Sequence, residues 1–219
     1  MTPSAIGLIL RTRPLTETSL IVHWLTPEFG RMATVAKGAR RPKSPFLGKL
    51  DLFYVADISF SRSRRSELHI LREVNLREVH AVLRRNLAGL RQATYATALV
   101  EIATETETPL PAVYELMVGF LDHLDEGAGQ PQSVFAFELK LLHELGLEPD
   151  WNQTGLSPGT KKISRLLVQG GWEAGTRLKL SHVQNTELRE FLHGFLIFHL
   201  GRLPRGRAAT LAIPDSKWG

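Results

Sequence analysis

Between Val35 and Phe46 the chain reads VAKGARRPKSPF, placing Lys37, Arg40, Arg41 and Lys43 within seven positions, with Lys49 soon after and no acidic residue between Glu28 and Asp51. Cations held this close repel one another unless a polyanion lies across them, so the chemistry open to the stretch is electrostatic binding of phosphates. Gly38, Pro42 and Pro45 restrict the loop's shape, which favours a defined phosphate-binding surface over a merely solvated one. Arg62, Arg64 and Arg65 form a second basic turn that can extend the first. Arg202, Arg205 and Arg207 near the other end offer a secondary surface. Aromatic rings beside such cations can stack with bases, each stack contributing roughly 1–3 kcal/mol. Phe29, in a turn, and Phe46, in the loop, are the candidates, although Phe46 serves equally well as a ring that pins the loop down.

Covalent or metal-dependent chemistry finds no comparable constellation. The chain has no cysteine, no HExxH, no phosphate-binding glycine loop ending in Lys-Ser or Lys-Thr, and no GxSxG. His193 and His199 are six residues apart on one predicted helix, a spacing that does not put both on one face as a metal pair requires. The expectation is a binding protein with no catalytic residue, metal or cofactor. An enzymatic alternative is a nuclease with a carboxylate metal site at Glu101, Glu105 and Glu107.

The elements that would position the basic residues follow from periodicity. Residues 4–13, 19–26, 31–37, 50–61 and 67–74 read as five short strands separated by Pro, Gly and Ser turns. In the fourth, Leu52, Tyr54, Ala56, Ile58 and Phe60 alternate onto one face. Five strands at this spacing, with the longest interruption between the third and fourth, predict a small closed barrel of the oligonucleotide-binding type. From Val79 the period becomes helical: Leu83, Leu87 and Leu90, then Tyr95, Leu99 and Ile102, recur at helical spacing. A second helix follows Pro111, a third is capped by Ser133, and a last one runs over residues 186–200. The glycine-rich stretch 147–182 gives no clear pattern beyond one apolar run, Ile163 to Val168. The fold class is therefore α+β: an N-terminal five-stranded OB-fold β-barrel over residues 1–78, then an all-helical C-terminal domain over residues 79–219.

The net charge of +5 is unevenly spread along the 219 residues. Residues 1–80 carry thirteen basic against seven acidic side chains, residues 101–159 one against eleven, and residues 160–219 ten against four. Segregated sign predicts one surface that faces a polyanion and another that does not. The apolar run Ala5 to Leu10 is too short for a membrane span and is followed rather than preceded by arginines, so the expected location is cytoplasmic.

The stretch AIGLILRTRPLTETSLIVHWLTPEFGRMATVAKGARRPKS, with LGKLDLFYVADISF and FELKLLHELGLEPD further on, resembles the bacterial recombination mediator RecO family. The resemblance covers most of the chain, and the strand followed by Lys37-Gly38, Arg40-Arg41 and Ser44 is its most specific part. It implies an OB-fold barrel, a helical carboxy-terminal domain, binding of single- and double-stranded DNA, and annealing of complementary strands. It further implies a nucleoid-associated mediator that works with RecR, engages the acidic C-terminal tail of the single-stranded DNA-binding protein, and helps RecA load on coated DNA in repair. Some members carry four zinc-binding cysteines after the helix matched by Phe137 to Leu145; this chain has none there, so no zinc is expected. Such barrels also serve RNA, which leaves an RNA-binding factor as the alternative.

Overall fold

A computed structural model describes residues 2–127 and 130–211. Its first part is a closed barrel of five strands, β1 (Ser4–Pro14), β2 (Leu20–Thr26), β3 (Gly30–Ala36), β4 (Val55–Ser61) and β5 (Leu68–Glu78). The order around the barrel is β1-β2-β3-β5-β4, closing back onto β1, with β3 and β5 parallel and the other neighbours antiparallel. This is the predicted OB-type barrel, and closure removes the exposed sheet edges that an open five-stranded sheet would keep.

Alternation fills the interior with Ile9, Val22, Trp24, Met32, Ile58, Phe60, Leu71 and Val74. The Trp24 ring lies against β1 so closely that a Cβ on Gly7 would meet it at 2.8 Å, and its indole N–H donates to the Thr34 hydroxyl at 2.8 Å. A buried indole keeps its donor satisfied in this way without leaving the core.

The fourth strand begins at Val55, five residues later than its alternation predicts. Asp51 accepts from the Leu52 amide through its side chain and from the Tyr54 amide through its carbonyl, and Phe53 adopts a positive φ of 65°. That turn breaks the alternation: Leu52 is left exposed, whereas Phe53 is buried and its amide donates to the Ile9 carbonyl, the Ile9 amide in turn donating to the Tyr54 carbonyl.

The chain folds as two compact units, residues 1–80 with 104–118 and residues 81–103 with 119–219. In the first unit, segment 104–108 crosses the start of β3: the Glu107 amide donates to the Arg31 carbonyl, and the Arg31 guanidinium donates to the Thr104 hydroxyl at 2.8 Å. Gly30, at φ 60°, is required by this crossing, since a Cβ there would sit 1.8 Å from the Thr108 carbonyl oxygen.

The helical region comprises α1 (Leu87–Ala103), α2 (Pro111–Asp125), α3 (Pro131–Glu144), α4 (Pro158–Gln169), α5 (Trp172–Arg177), α6 (His182–Leu200) and α7 (Arg207–Leu211), preceded by a single 3-10 turn at Leu83–Arg85. Leu83 is buried in that turn, so α1 starts at Leu87, whose side chain stays exposed. Gln130 rather than Ser133 is the N-cap of α3, because Pro131 takes the first helical position; Ser133 is buried one turn in, where its hydroxyl meets His123 at 3.0 Å. The stretch without a clear pattern holds α4, capped by Ser157, and α5. It ends in a capping box, Ser181 with Gln184, which starts α6 at His182, one turn before the predicted residue 186. Phe120, Phe137 and Trp172 meet at ring separations of 4.7 and 5.2 Å in the core of this unit.

Candidate nucleic-acid interface

The basic loop leaves β3 at Ala36 and is built of successive tight turns. Gly38 takes a positive φ of 67°, the Arg41 amide donates to its carbonyl, Ser44 follows onto Arg41 and Leu47 onto Ser44. The β1–β2 connection supports it from the side: the Arg40 amide donates to the Thr18 carbonyl at 3.0 Å, and the Gly38 amide to the Ser19 hydroxyl at 3.3 Å. Ala39 and Phe46 are buried in the barrel core. Phe46 therefore pins the loop and presents no face for stacking. With apolar anchors inside, Lys37, Arg40, Arg41 and Lys43 point outward, and none of the four is held in an ion pair among the described residues. Lys49 differs, being half-buried with its ammonium donating to the Val74 carbonyl at 3.1 Å.

The second basic turn is exposed at Arg62, Arg64 and Arg65. Arg62 lies over the Phe29 ring, 5.0 Å from its centroid, and Phe29 packs edge-on against Phe60 at 5.4 Å. Phe29 is thus half-buried with one face covered by a cation. The Ser63 amide donates to Nδ1 of His69, which is 4% exposed, and His69 Nε2 meets the Glu107 carboxylate at 3.2 Å. The turn, His69 and Glu107 line a concavity of about 350 Å³.

Strand register decides how the two basic clusters stand to each other. Leu68, just after the arginine turn, faces Ala33, and β5 then runs parallel to β3 toward the end from which the basic loop departs. With Arg62 over Phe29, just before β3 begins, and the basic loop leaving β3 at Ala36, the two clusters flank the strand at opposite ends. They bracket the strand and do not merge into one loop surface. The structure adds a cation that the sequence pattern does not single out, Arg13, at the loop end: it is exposed on β1, opposite Ile21, with a guanidinium nitrogen 3.0 Å from His23 Nε2. Its signal in the sequence is the outward position in the β1 alternation.

The three carboxy-terminal arginines separate. Arg202 and Arg205 are exposed, whereas Arg207 is buried at 6% exposure. Its Nε and Nη2 donate to the two carboxylate oxygens of Glu138 at 2.6 and 2.8 Å, and Nη1 donates to the Arg189 carbonyl. The Tyr95 hydroxyl also donates to Glu138; burial, then the carboxylate, pushes the phenol's pKa far up, and Glu138 raises that of Arg207 against its desolvation. Arg207 is a buried ion-pair residue and stands apart from the exposed Arg202 and Arg205. Lys140 likewise turns inward, donating to the Val168 and Gly170 carbonyls at the end of α4.

Of the carboxylates considered for a metal, Glu107 is engaged with His69, and no cluster of three or more potential metal ligands occurs among the described residues. None of their helices is long and apolar enough to cross a membrane.

Residues 1–80 match the family model described as Recombination protein O N terminal, and residues 84–155 match Recombination protein O C terminal. Curated relatives named DNA repair protein RecO include that of Exiguobacterium sibiricum, 34% identical over 152 residues, which are 69% of this chain and 60% of the relative. The protein of Rhodopirellula baltica is 31% identical over 144 residues, 66% of this chain and 53% of that one. That of Anaeromyxobacter sp. (strain K) is 28% identical over 230 aligned positions, covering 90% and 91%. The first two matches thus span little more than half of those relatives' lengths.

Proposed function

The chain belongs to the RecO family of DNA repair and recombination proteins, and from that premise we propose that it is a non-enzymatic protein that binds single- and double-stranded DNA, anneals complementary strands and acts as a recombination mediator. The observation that carries this reading is the Lys37–Lys43 loop, four outward cations on a backbone braced by internal turns and anchored in the barrel by Ala39 and Phe46. A braced loop loses little entropy on binding, and screening phosphate charge on two strands at once lowers the barrier to their pairing. Arg13 at the same end, and Arg62, Arg64 and Arg65 at the other end of β3, extend the phosphate path along the strand. Lys49 contributes from its tether on Val74. Arg202 and Arg205 form the secondary surface. In the cell this role entails work with RecR and with the acidic C-terminal tail of the single-stranded DNA-binding protein, to help RecA load on coated DNA at the nucleoid.

The test is the affinity for a labelled single strand against salt, for the wild type and for an Arg40→Ala, Arg41→Ala, Lys43→Ala variant. Three lost contacts, at roughly 0.7 counterions each, lower the logarithmic slope by about 2, and the annealing rate of complementary strands falls with it. An unchanged slope assigns the loop a structural role and refutes the reading. Tighter binding of RNA than of DNA of the same sequence would replace it with an RNA-binding function.

A further inference from the structure

Helix α6 carries two costly features one turn apart. Gly194 lies inside the helix, where glycine is destabilising relative to alanine, yet a Cβ there would meet nothing within 4 Å, so no close approach demands it. Phe198 is 82% exposed, the most exposed large apolar side chain among the described residues. Residues four apart share a helix face, and a helical side chain leans over the preceding turn. The Phe198 ring therefore leans toward the open position that Gly194 leaves. The surface at Gly194 falls into a mainly apolar depression of about 520 Å³ lined by His193, Leu203 and Pro204, with Arg189 and Glu190 as charged residues at its wall.

The ring is also well supported. His199 meets it edge-on at 5.0 Å, Phe195 packs against His199 at 4.4 Å, Phe191 stacks on Phe195 at 5.4 Å, and Phe191 rests at 6.3 Å from the buried Trp151. Along the chain that follows it, the charges have one sign. From Phe191 to Leu211 the chain has no Asp or Glu, while Arg202, four residues after Phe198, and Arg205 are exposed. An exposed π face, open space beside it and two exposed arginines on the segment that follows, against the single carboxylate Glu190 in the depression, match what a single-stranded nucleic acid needs, a surface for one base and counter-charges for its phosphates. On the barrel, by contrast, Phe46 is buried and Phe29 is covered by Arg62.

We propose that Phe198, with Arg202 and Arg205, forms a base-stacking platform for single-stranded DNA on the last long helix. The proposal rests on the reading that the protein binds DNA, and names where its bases are held. The test compares binding of the full chain to labelled oligo(dT) and to an abasic strand of the same length and charge. Wild type binds oligo(dT) more tightly. Phe198→Ala weakens oligo(dT) about fivefold or more, the lower end of one stacked base, and leaves abasic binding, the salt slope and thermal stability unchanged. Phe198→Trp restores the difference, and Gly194→Leu reduces it without lowering stability. If Phe198→Ala leaves both affinities unchanged or lowers both equally, the platform is refuted while DNA binding stands. Failure of the wild type to bind either strand refutes the DNA reading itself. A wild-type dimer in sedimentation that Phe198→Ala turns into a monomer refutes the platform and assigns the face to a second copy of the chain.

Discussion

Replacing Arg207 by alanine leaves the Glu138 carboxylate, 0% exposed, with the Tyr95 hydroxyl as its remaining side-chain donor. Breaking a buried pair from one side costs about 3–5 kcal/mol, because the surviving charge stays desolvated, and at this chain length that lowers the melting temperature by roughly 6–20 °C. Removing the whole network behaves differently. Tyr95→Phe with Glu138→Leu and Arg207→Met leaves no orphaned charge, and exchange of a buried pair for apolar groups of similar volume is often neutral or stabilising. The assay is thermal unfolding followed by helical circular dichroism, beside the salt dependence of single-strand binding measured well below the transition. The expected pattern is a large fall for Arg207→Ala, recovery in the triple variant, and a salt slope unchanged in both. A melting temperature within about 2 °C of wild type, together with a slope reduced by roughly 0.7 as for one lost phosphate contact, would refute the burial argument and return Arg207 to the DNA-facing surface.

Gly30→Ala costs about 2 kcal/mol or more, since a left-handed conformation alone costs a non-glycine residue about 1–2 kcal/mol and the new Cβ displaces the Thr108 carbonyl. Gly48→Ala, at φ 72° with open space around it, incurs only the conformational part; equal losses in denaturant titrations of the two variants would sink the claim that segment 104–108 demands this glycine. His123 is held below its ordinary pKa by burial against Ser133 and Trp172, with Glu126 opposing the shift. The unfolded chain then binds the extra proton first, so this group contributes nothing to the pH dependence above about 6.5 and costs stability as pH falls from there toward the lowered folded value. Unfolding free energies between pH 7.5 and 5 should decline less steeply in His123→Gln, and an identical slope would show that His123 protonates without penalty.

Strand and helix types were legible from local pattern, because side-chain period reports which face is buried. Period two carried the barrel, and Pro111 at a first helical position marked the start of α2. Boundaries were less legible where a single backbone event overrides periodicity. Phe53 at positive φ delays β4, Pro131 displaces Ser133 from the cap, and the 3-10 turn at Leu83 leaves Leu87 exposed. The outward direction of Lys37, Arg40, Arg41 and Lys43 could be read from their crowding, since four like charges cannot share an interior. Arg207 could not be distinguished from Arg202 and Arg205, because the residue that draws it inward is Glu138, 69 positions earlier. The same holds for Lys140 on the end of α4 and for Arg62 on Phe29.

By itself, then, the sequence determined what depends on neighbours along the chain: the alternation that builds a barrel, the turns that rigidify the basic loop, and the charge of each segment. Tertiary structure alone decided which cations remain available to a ligand and how the two basic clusters stand at opposite ends of β3. Those outcomes depend on desolvation and on the parallel β3–β5 pairing, and both are properties of groups brought together only when the chain closes on itself.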